Sequence, residues 1–277
     1  MAEAQFIKKV GHFYAENKRP LPWRDIERLT IRERGYRVVV SELMLQQTQV
    51  QRVIPKYNEW MQRWPTIDDF SHAHFADVIS IWSGLGYNRR AQYLYTTLRS
   101  IIRDCQGIVP NDVTTLLMLP GIGLNTAGAI IVYTYNSPQI FIETNIRTVY
   151  LHEFFADTAE QITDTQLKEK LAVTLDIDNP RQWYYALMDY GAYVKQKHGS
   201  HLQRSVHYKK QPIFKGSNRQ IRGAIIHILA REQSVEIATL KTEIADIRLD
   251  TCIQSLSDEG MIIIDGETLR LPHDEMV

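Results

Sequence analysis

Cysteine is scarce in this chain of 277 residues, and that scarcity excludes several kinds of site. The two cysteines, Cys105 and Cys252, are far apart in the sequence. Two thiols cannot form a Cys-rich zinc site or a four-cysteine iron–sulfur cluster, and they do not make a disulfide framework. We therefore expect no metal ion and no iron–sulfur cluster as a cofactor.

Long apolar runs and an excess of charge are also lacking. No apolar run approaches the roughly 20 residues that a membrane-spanning helix needs. The first 20 residues read as an amphipathic helix and not as a signal peptide, which predicts an intracellular protein. Lysine plus arginine and aspartate plus glutamate both number 32, so the net charge is zero and indicates no particular partner.

One segment, residues 195–222, has no acidic residue but holds eight Lys and Arg and three His. Such a segment can follow the phosphates of a nucleic acid, and the alternative is a solvated linker. The histidines are His198, His201 and His207. Without an acid or thiol nearby, they are expected to face solvent or phosphate and not to hold a metal.

The first 200 residues are expected to be helical. Apolar residues recur at three- and four-residue spacing over Val38–Tyr57, Phe75–Ile81 and Ala91–Ile102. Proline and glycine separate these stretches.

The chain after about residue 213 follows another pattern. It predicts helices over Asn218–Arg231, Val235–Ile244 and Leu249–Glu259, then strands over Met261–Ile264 and Glu267–Leu271. Asp265 and Gly266 are a strong two-residue hairpin signal. This order is that of a winged helix-turn-helix domain, which binds DNA in many proteins and only other proteins in some.

The most specific local pattern is Leu-Pro-Gly-Ile-Gly at 119–123, between helical segments Asp112–Met118 and Asn125–Tyr133. Its glycines permit a tight turn close to a ligand, and the next helix offers amide groups to a phosphate oxygen. This helix-hairpin-helix pattern binds the DNA backbone without reading sequence, and the alternative is a turn between packed helices. The residues expected to contact DNA here are Gly121, Gly123, Asn125 and Thr126.

Two acidic residues lie within apolar stretches on either side of this motif. Glu42 lies in Ser41–Gln49, and Glu143 lies in Phe141–Arg147, twenty residues after Gly123. With these residues in place, the sequence resembles the A/G-mismatch adenine DNA glycosylases (MutY type) of the endonuclease III-like superfamily. The matching blocks, which fall in about residues 20–195, are Pro22–Arg24, Ser41–Val50, Gly84–Tyr87, Leu119–Ile130 and Ala186–Ala192.

The resemblance implies an all-α, two-lobed helix-hairpin-helix glycosylase core, followed here by a small winged-helix domain with a β-hairpin wing. One lobe is expected to comprise residues 1–25 and 136–212, and the other residues 26–135. The winged helix is expected over residues 213–277. We expect a monomer.

The resemblance also implies catalytic roles. Glu42 matches the residue that protonates adenine at N7, and burial among Val39, Leu43 and Leu45 would raise its pKa as a general acid requires. The alternative is a surface ion pair. Glu143 matches the carboxylate that stabilises the cationic sugar, and Asn145 matches an asparagine beside that sugar.

The chain departs from the family's pattern at two positions that take part in this chemistry, residues 143 and 125. Glu143-Thr144-Asn145 stands where the family has Asp-Gly-Asn, so the carboxylate lies one methylene farther out. This change predicts slow activity, a pocket rebuilt for another nucleotide, or a silent DNA-binding relative. Asn125 stands where lyase-active relatives have a Schiff-base lysine, which predicts a glycosylase without β-elimination.

Further residues match the family's contacts with DNA. Gln46, Gln47 and Tyr87 resemble the group that fills the gap left by a flipped base, and the alternative for Tyr87 is a core role. The arginines that follow, Arg89 and Arg90, are expected to contact phosphates. Lys215 and Arg219, with Arg222, are expected to anchor the winged helix to the duplex.

Two features of the family are missing. The four cluster cysteines do not follow Ala186–Ala192, and we expect basic residues to make the DNA contact that the cluster loop makes elsewhere. The C-terminal module that recognises 8-oxoguanine is replaced by the winged helix.

The sequence therefore predicts a monofunctional base-excision repair glycosylase that hydrolyses adenine from A:8-oxoG or A:G duplex DNA. The expected partner is double-stranded DNA, in a cytoplasmic, nucleoid-associated and prokaryotic setting, with no membrane contact. A thymine or uracil mismatch glycosylase and a catalytically silent DNA-binding protein remain the alternatives.

Overall fold

The computed structural model describes residues 1–156, 158, 160–206, 214–232 and 234–272. Most of these residues are helical. In chain order the α-helices are α1 (Glu3–Asn17), α2 (Ile31–Leu45), α3 (Val50–Arg63), α4 (Ile67–Phe70), α5 (Phe75–Trp82), α6 (Arg89–Cys105), α7 (Val113–Leu117), α8 (Leu124–Tyr135), α9 (Thr144–Phe154), α10 (Asp164–Thr174), α11 (Pro180–His198), α12 (Asn218–Glu232), α13 (Ile237–Glu243) and α14 (Leu249–Asp258). Short 3-10 helices lie at Pro22–Arg24 and Leu202–Arg204.

The C-terminal segment adds a small antiparallel sheet. Its strands are β1 (Ser234–Glu236), β2 (Ile263–Asp265) and β3 (Thr268–Arg270), in the order β1-β3-β2. The central strand β3 places Leu269 opposite residues of both neighbours, and this side chain is fully buried. Three helices with a hairpin wing confirm the predicted winged-helix class.

The chain divides into two compact units. The first comprises Met1–Arg24, Asn111–Met118 and Ile122–Lys210, and the second comprises Asp25–Pro110, Leu119–Gly121 and Gln211–Val277. Helix α8 therefore belongs to the first unit and the C-terminal segment to the second, whereas the sequence-based boundaries fall at residues 135 and 212. The three-part domain organisation stays a prediction.

Aromatic rings form the core of the first unit, where α1, α9 and α11 pack together. The ring of Phe6 lies 4.9 Å from that of Phe154, edge-on, and 6.0 Å from that of Trp183. Phe6 and Tyr150 are fully buried or nearly so. Such rings bury large apolar areas and prefer these tilted arrangements.

The second unit has its own aromatic core, built by α2, α3 and α4. Trp60 stacks on Phe70 at 5.3 Å between ring centroids. The indole Nε1 of Trp60 donates a hydrogen bond to Tyr36 Oη at 2.8 Å, and that hydroxyl donates to the carbonyl of Trp64 at 2.8 Å. The buried polar atoms of these rings are thus paired, as burial requires.

The apolar pattern over Val38–Tyr57 corresponds to parts of two helices and not to one continuous helix. Helix α2 ends at Leu45 and α3 begins at Val50, because Gln47 between them takes a left-handed backbone with φ of 53°. The other predicted helices of this region lie within α5 and α6.

Two corrections concern the wing. Val235 was expected to begin a helix, but it lies in β1, where it pairs with Leu269 of the central strand. Asp265 pairs with Thr268, so the two-residue loop is Gly266-Glu267 and not Asp265-Gly266. Gly266 has φ of 60°, the conformation that the first residue of such a loop requires.

No helix among the described residues is long and apolar enough to cross a membrane.

A glycine sets the distance between α9 and α11 in the first unit. A Cβ added at Gly191 would lie 2.4 Å from the backbone oxygen of Asn145, closer than real Cβ contacts allow. Backbone atoms of α9 cannot move aside as a flexible side chain can. The close approach of the two helices therefore depends on glycine at this position.

We expect Gly191→Ala to destabilise the protein by about 2–3 kcal/mol, because the methyl group forces the helices apart. Gly223→Ala is the control, since Gly223 is also helical but its Cβ would have nothing within 4 Å. The control should gain about 0.5–1 kcal/mol from helix propensity. Urea unfolding of both variants measures the difference, and equal stabilities would contradict the packing argument.

Candidate active site and nucleic-acid interface

Glu143 is a partly buried carboxylate at the start of α9. It is the N-cap residue of that helix, but its side chain makes no capping hydrogen bond. Its Oε1 atom is buried and has no hydrogen-bond partner among the described residues. Burial raises the pKa of Glu143 from 4.5 to about 7, although the charges of Arg19 and Lys195 act to lower it. Perturbed and unpartnered acids of this kind are typical of functional sites.

A second carboxylate, Asp189 on α11, holds one of the cations that act on Glu143. Its oxygens accept hydrogen bonds from Arg19 Nε at 2.5 Å and from two Arg24 nitrogens at 2.8 and 2.9 Å. Sequence reasoning quoted Pro22–Arg24 and Ala186–Ala192 as separate blocks and missed this pairing. The ion pairs fix the position of Arg19, whose charge acts to lower the pKa of Glu143.

Asn145, expected beside the sugar, and Asn125, expected to contact DNA, are also in the first unit. Asn145 lies in the first turn of α9, where its Nδ2 approaches Met188 Sδ at 4.0 Å. Asn125, in the first turn of α8, accepts a hydrogen bond at Oδ1 from the backbone amide of Ile142 at 3.2 Å. The residue that replaces the lyase lysine thus supports the chain segment that leads into Glu143.

The hairpin at 119–123 has the geometry that the sequence pattern predicts. Gly121 has φ of 76°, and a Cβ there would lie 2.8 Å from Tyr93. Gly123 is exposed and caps the N-terminus of α8, and its Cβ position is open space. Asn125 is exposed in the same turn and Thr126 is half-buried. The amide groups at this helix end are therefore able to meet an anion.

The turn between α2 and α3 holds the two glutamines. Gln46 donates from Nε2 to the carbonyl of Gly121 at 3.1 Å, so this side chain braces the hairpin. Gln47 is exposed in its left-handed conformation, which costs about 1–2 kcal/mol for a residue with a Cβ. Strain of this kind is often retained where a side chain must be presented to a ligand.

Glu42 lies in the last turns of α2 and is half-buried. Its neighbours Val39 and Leu43 are fully buried, whereas Leu45 is half-buried. The role of Glu42 as a general acid stays a prediction.

Tyr87 has a left-handed backbone, with φ of 51°, and is 37% exposed, so it is not a core residue. Its Oη accepts a hydrogen bond from Arg219 Nη1 at 2.7 Å. Arg89 makes an ion pair with Glu259, with Nη2 2.6 Å from Oε1. Lys215 is exposed. Of these predicted DNA contacts, two are thus held by groups of the same unit.

The prediction that Arg90 contacts phosphates is wrong, because this residue is only 7% exposed. Its Nη1 donates to the carbonyls of Leu43 and Met44 at 2.8 and 3.1 Å. Its Nη2 donates to Thr48 Oγ1 at 2.8 Å and to Gly86 O at 3.0 Å. Burial lowers the pKa of Arg90 to about 10. Helical geometry turns Arg90 inward and its neighbour Arg89 outward, which the dipeptide alone does not reveal.

The basic stretch is only partly available to a ligand. Arg204 donates to the carbonyls of Phe155 and Ala156, and Arg222 makes an ion pair with Glu259 at 2.6 Å. His207, Lys209 and Lys210 lie outside the described residues.

The residues present do not fit an iron–sulfur cluster. Cys105 ends α6 and Cys252 lies in α14, and both belong to the second unit, whereas the segment after α11 belongs to the first. In that segment His201 instead contacts His152 at 3.2 Å between ring nitrogens, and His198 stacks on His152. Among the described residues, no group of three or more His, Cys, Asp or Glu is arranged to hold a metal ion.

The raised pKa of Glu143 has a consequence for stability. A carboxyl whose pKa is about 7 in the folded state and near 4.5 in the unfolded chain binds an extra proton between these values. Stability is therefore lost as pH rises through this window, because the buried group must ionise.

We expect Glu143→Gln to be more stable than the parent at pH 8, by on the order of 1 kcal/mol, and equal to it at pH 4.5. Denaturant unfolding at both pH values measures this. Glu169→Gln, at an exposed position of α10, should show no such pH-dependent gain. The same gain in both variants would argue against a buried carboxylate at 143.

Known proteins match this chain along much of its length. Residues 40–174 match the profile of the HhH-GPD superfamily base excision DNA repair proteins. The adenine DNA glycosylase of Buchnera aphidicola is 33% identical over 195 residues, which are 70% of this chain and 54% of that protein. The adenine DNA glycosylase of Mycolicibacterium smegmatis is 30% identical over 270 residues, and the match covers 90% of each chain.

The fold has solved counterparts as well. The structure of a thermostable thymine-DNA glycosylase superposes with a TM-score of 0.62 at 20% identity, covering 74% of this chain and 92% of that one. This likeness shows the fold. With the match to the M. smegmatis protein along nine-tenths of both chains, the chain belongs to the adenine DNA glycosylase family of the HhH-GPD superfamily.

Proposed function

We propose that this chain is a monofunctional DNA glycosylase that removes adenine from mispaired duplex DNA, with 8-oxoguanine or guanine opposite. The observation that carries the proposal is Glu143, a carboxylate whose buried Oε1 has no hydrogen-bond partner among the described residues and whose pKa is raised to about 7. That the excised base is adenine is inferred from membership of the adenine DNA glycosylase family. We also propose that the protein works as a cytoplasmic, nucleoid-associated monomer without an iron–sulfur cluster.

The reaction asks for two acidic groups in different states. Glu42, in the role that the resemblance gives it, donates a proton to N7 of adenine, and the C1′–N9 bond then breaks with its electrons on the base. Glu143, ionised, stabilises the cationic sugar until a water oxygen bonds to C1′ and passes its proton to the Glu143 carboxylate. Glu143 is one methylene longer than the family's aspartate. Helix α9 starts at Thr144, one residue after Glu143, and we propose that this start leaves room for the longer side chain.

DNA binding is proposed for the exposed ends of the hairpin and of the two strained turns. The amide groups at the N-terminus of α8 face open space at Gly123, which suits a phosphate oxygen. Gln47 and Tyr87 are both exposed and left-handed, as expected of side chains presented to the gap left by a flipped base.

We expect release of adenine from A:8-oxoG and A:G duplexes in a single-turnover assay, seen as strand breaks only after alkali. Glu42→Gln and Glu143→Gln should each lower the rate by about a hundredfold or more, because each removes a reacting group. Cleavage of T:G or U:G duplexes instead would place the chain in the pyrimidine branch. Tight binding without any abasic product would mark a silent binder.

We also expect no borohydride-trapped protein–DNA adduct, because Asn125 offers no amine at the position of the Schiff-base lysine. A trapped adduct in the parent protein would contradict the monofunctional proposal. Lys195, the lysine whose charge acts on Glu143, would then be the amine to test, and its loss in Lys195→Gln would identify the nucleophile.

A further inference from the structure

We propose that Arg219 of the C-terminal winged helix is a positioning residue for Tyr87, so that this domain acts on DNA through the side chain that it holds. The inference rests on the proposed function. It gives the winged helix a role within the glycosylase reaction.

Two guanidinium groups lie near the ring of Tyr87. Arg90, from α6, lies 5.6 Å from the ring centroid, and Arg219, from α12, lies 5.5 Å from it. Both distances are within the range of a cation–π contact. Arg219 also donates to the phenol oxygen at 2.7 Å, which fixes the direction in which the ring points. A partly exposed, left-handed residue thus has its side chain in contact with two arginines.

The winged helix is fastened next to this contact, so the position of Arg219 is set by the fold. Glu259, at the end of α14, accepts from Arg89 Nε at 3.0 Å and from Arg222 Nη2 at 2.6 Å. Its backbone oxygen accepts from Gln92 Nε2 at 2.9 Å. Burial alone would raise the pKa of Glu259, but the hydrogen bonds from Arg222 and Arg89 lower it, which keeps the carboxylate ionised.

A further contact joins the same two segments at the other end of α12. Ser83 Oγ lies 3.1 Å from His227 Nδ1. The turn that carries Tyr87 is therefore flanked by attachments of the winged helix on both sides, at Ser83 and at Arg89.

The charge on the winged helix favours this role over independent DNA reading. Helix α14, in the place of a recognition helix, contains Asp250 and Asp258 and no lysine or arginine. A helix of that charge would be repelled by the phosphates of a major groove. Three basic residues of the domain, Lys215, Arg219 and Arg222, lie instead at or near the start of α12, where Arg219 contacts Tyr87.

The test compares Arg219→Ala, Tyr87→Phe and the double variant in single-turnover adenine release at saturating enzyme. Tyr87→Phe keeps the ring and removes only the acceptor of the hydrogen bond. We expect Tyr87→Phe to be about fivefold slower than the parent, because it removes the hydrogen bond, and Arg219→Ala to be at least as slow, because it removes the ring contact as well. The double variant should be no slower than Arg219→Ala, because that substitution already removes both contacts. Arg219→Lys should restore most of the rate.

Arg231→Ala is the matched control. It removes the same charge from the same helix, at an exposed residue paired only with Glu232 among the described contacts. A general loss of phosphate attraction would weaken DNA binding equally in both arginine variants and leave the saturated rate unchanged. Equal melting temperatures exclude a folding defect. A rate for Arg219→Ala equal to that of Arg231→Ala, or effects that multiply in the double variant, would overturn the inference.

A 2-aminopurine placed beside the target base gives a readout that does not need catalysis. Its fluorescence rises when neighbouring bases unstack on binding. If the parent protein releases no adenine, the proposed function fails, and the same pattern among the variants in fluorescence still supports positioning by Arg219. A fluorescence change identical in all variants would overturn it.

Discussion

A buried guanidinium organises the part of the second unit that is proposed to meet DNA. Arg90 gives its Nη donors to backbone carbonyls and the hydroxyl of Thr48, and its ring contacts are with Trp82 and Tyr87. A buried charge is costly unless its hydrogen bonds are satisfied, so the chain must close around it. The turn that follows α2 and the turn at 84–87 are held together in this way. The hydrogen bonds of Arg90 with Thr48 and Gly86 stabilise the two turns in which Gln47 and Tyr87 take left-handed conformations.

The two buried carboxylates of the first unit that lie near the proposed site, Asp189 and Glu143, differ in their hydrogen-bond partners. Asp189 is fully paired, with two arginines on its two oxygens, and this pairing stabilises the junction of the N-terminal segment with α11. Glu143 lies in the same unit, and its Oε1 receives no comparable partner among the described residues. Natural proteins retain such a destabilising group where activity needs it. The contrast supports a structural role for Asp189 and the catalytic role proposed for Glu143.

Local patterns predicted much of the fold. The helices α5, α6 and α12 follow their apolar periodicity, and the hairpin glycines follow from the conformations that a tight turn requires. The position of Glu143 came from the resemblance, since an acid in an apolar run is not by itself diagnostic. Burial of its side chain and the break after Leu45 needed the structure.

Long-range pairing could not be predicted. Arg89 and Glu259 are 170 residues apart, and nothing near either residue indicates the other. Strand β1 has only three residues, too few for an alternating pattern, and forms because β3 offers it a free edge. The adjacent arginines at 89 and 90 look alike in sequence, but one helical step of about 100° separates an exposed arginine in an ion pair from a buried arginine that donates to backbone carbonyls.

The hydrogen bond from Ile142 N to Asn125 Oδ1 bears on how this lineage could change its chemistry. A lysine has no acceptor, so gaining an amine at residue 125 would leave the Ile142 amide without its present partner. That amide belongs to the segment that delivers Glu143. An ancestor crossing between hydrolysis and lyase chemistry would therefore have passed through an enzyme with a loosened carboxylate, unless a second substitution came first. Such an order of changes would keep the hydrolases and the lyases distinct in chemistry even though they share one fold.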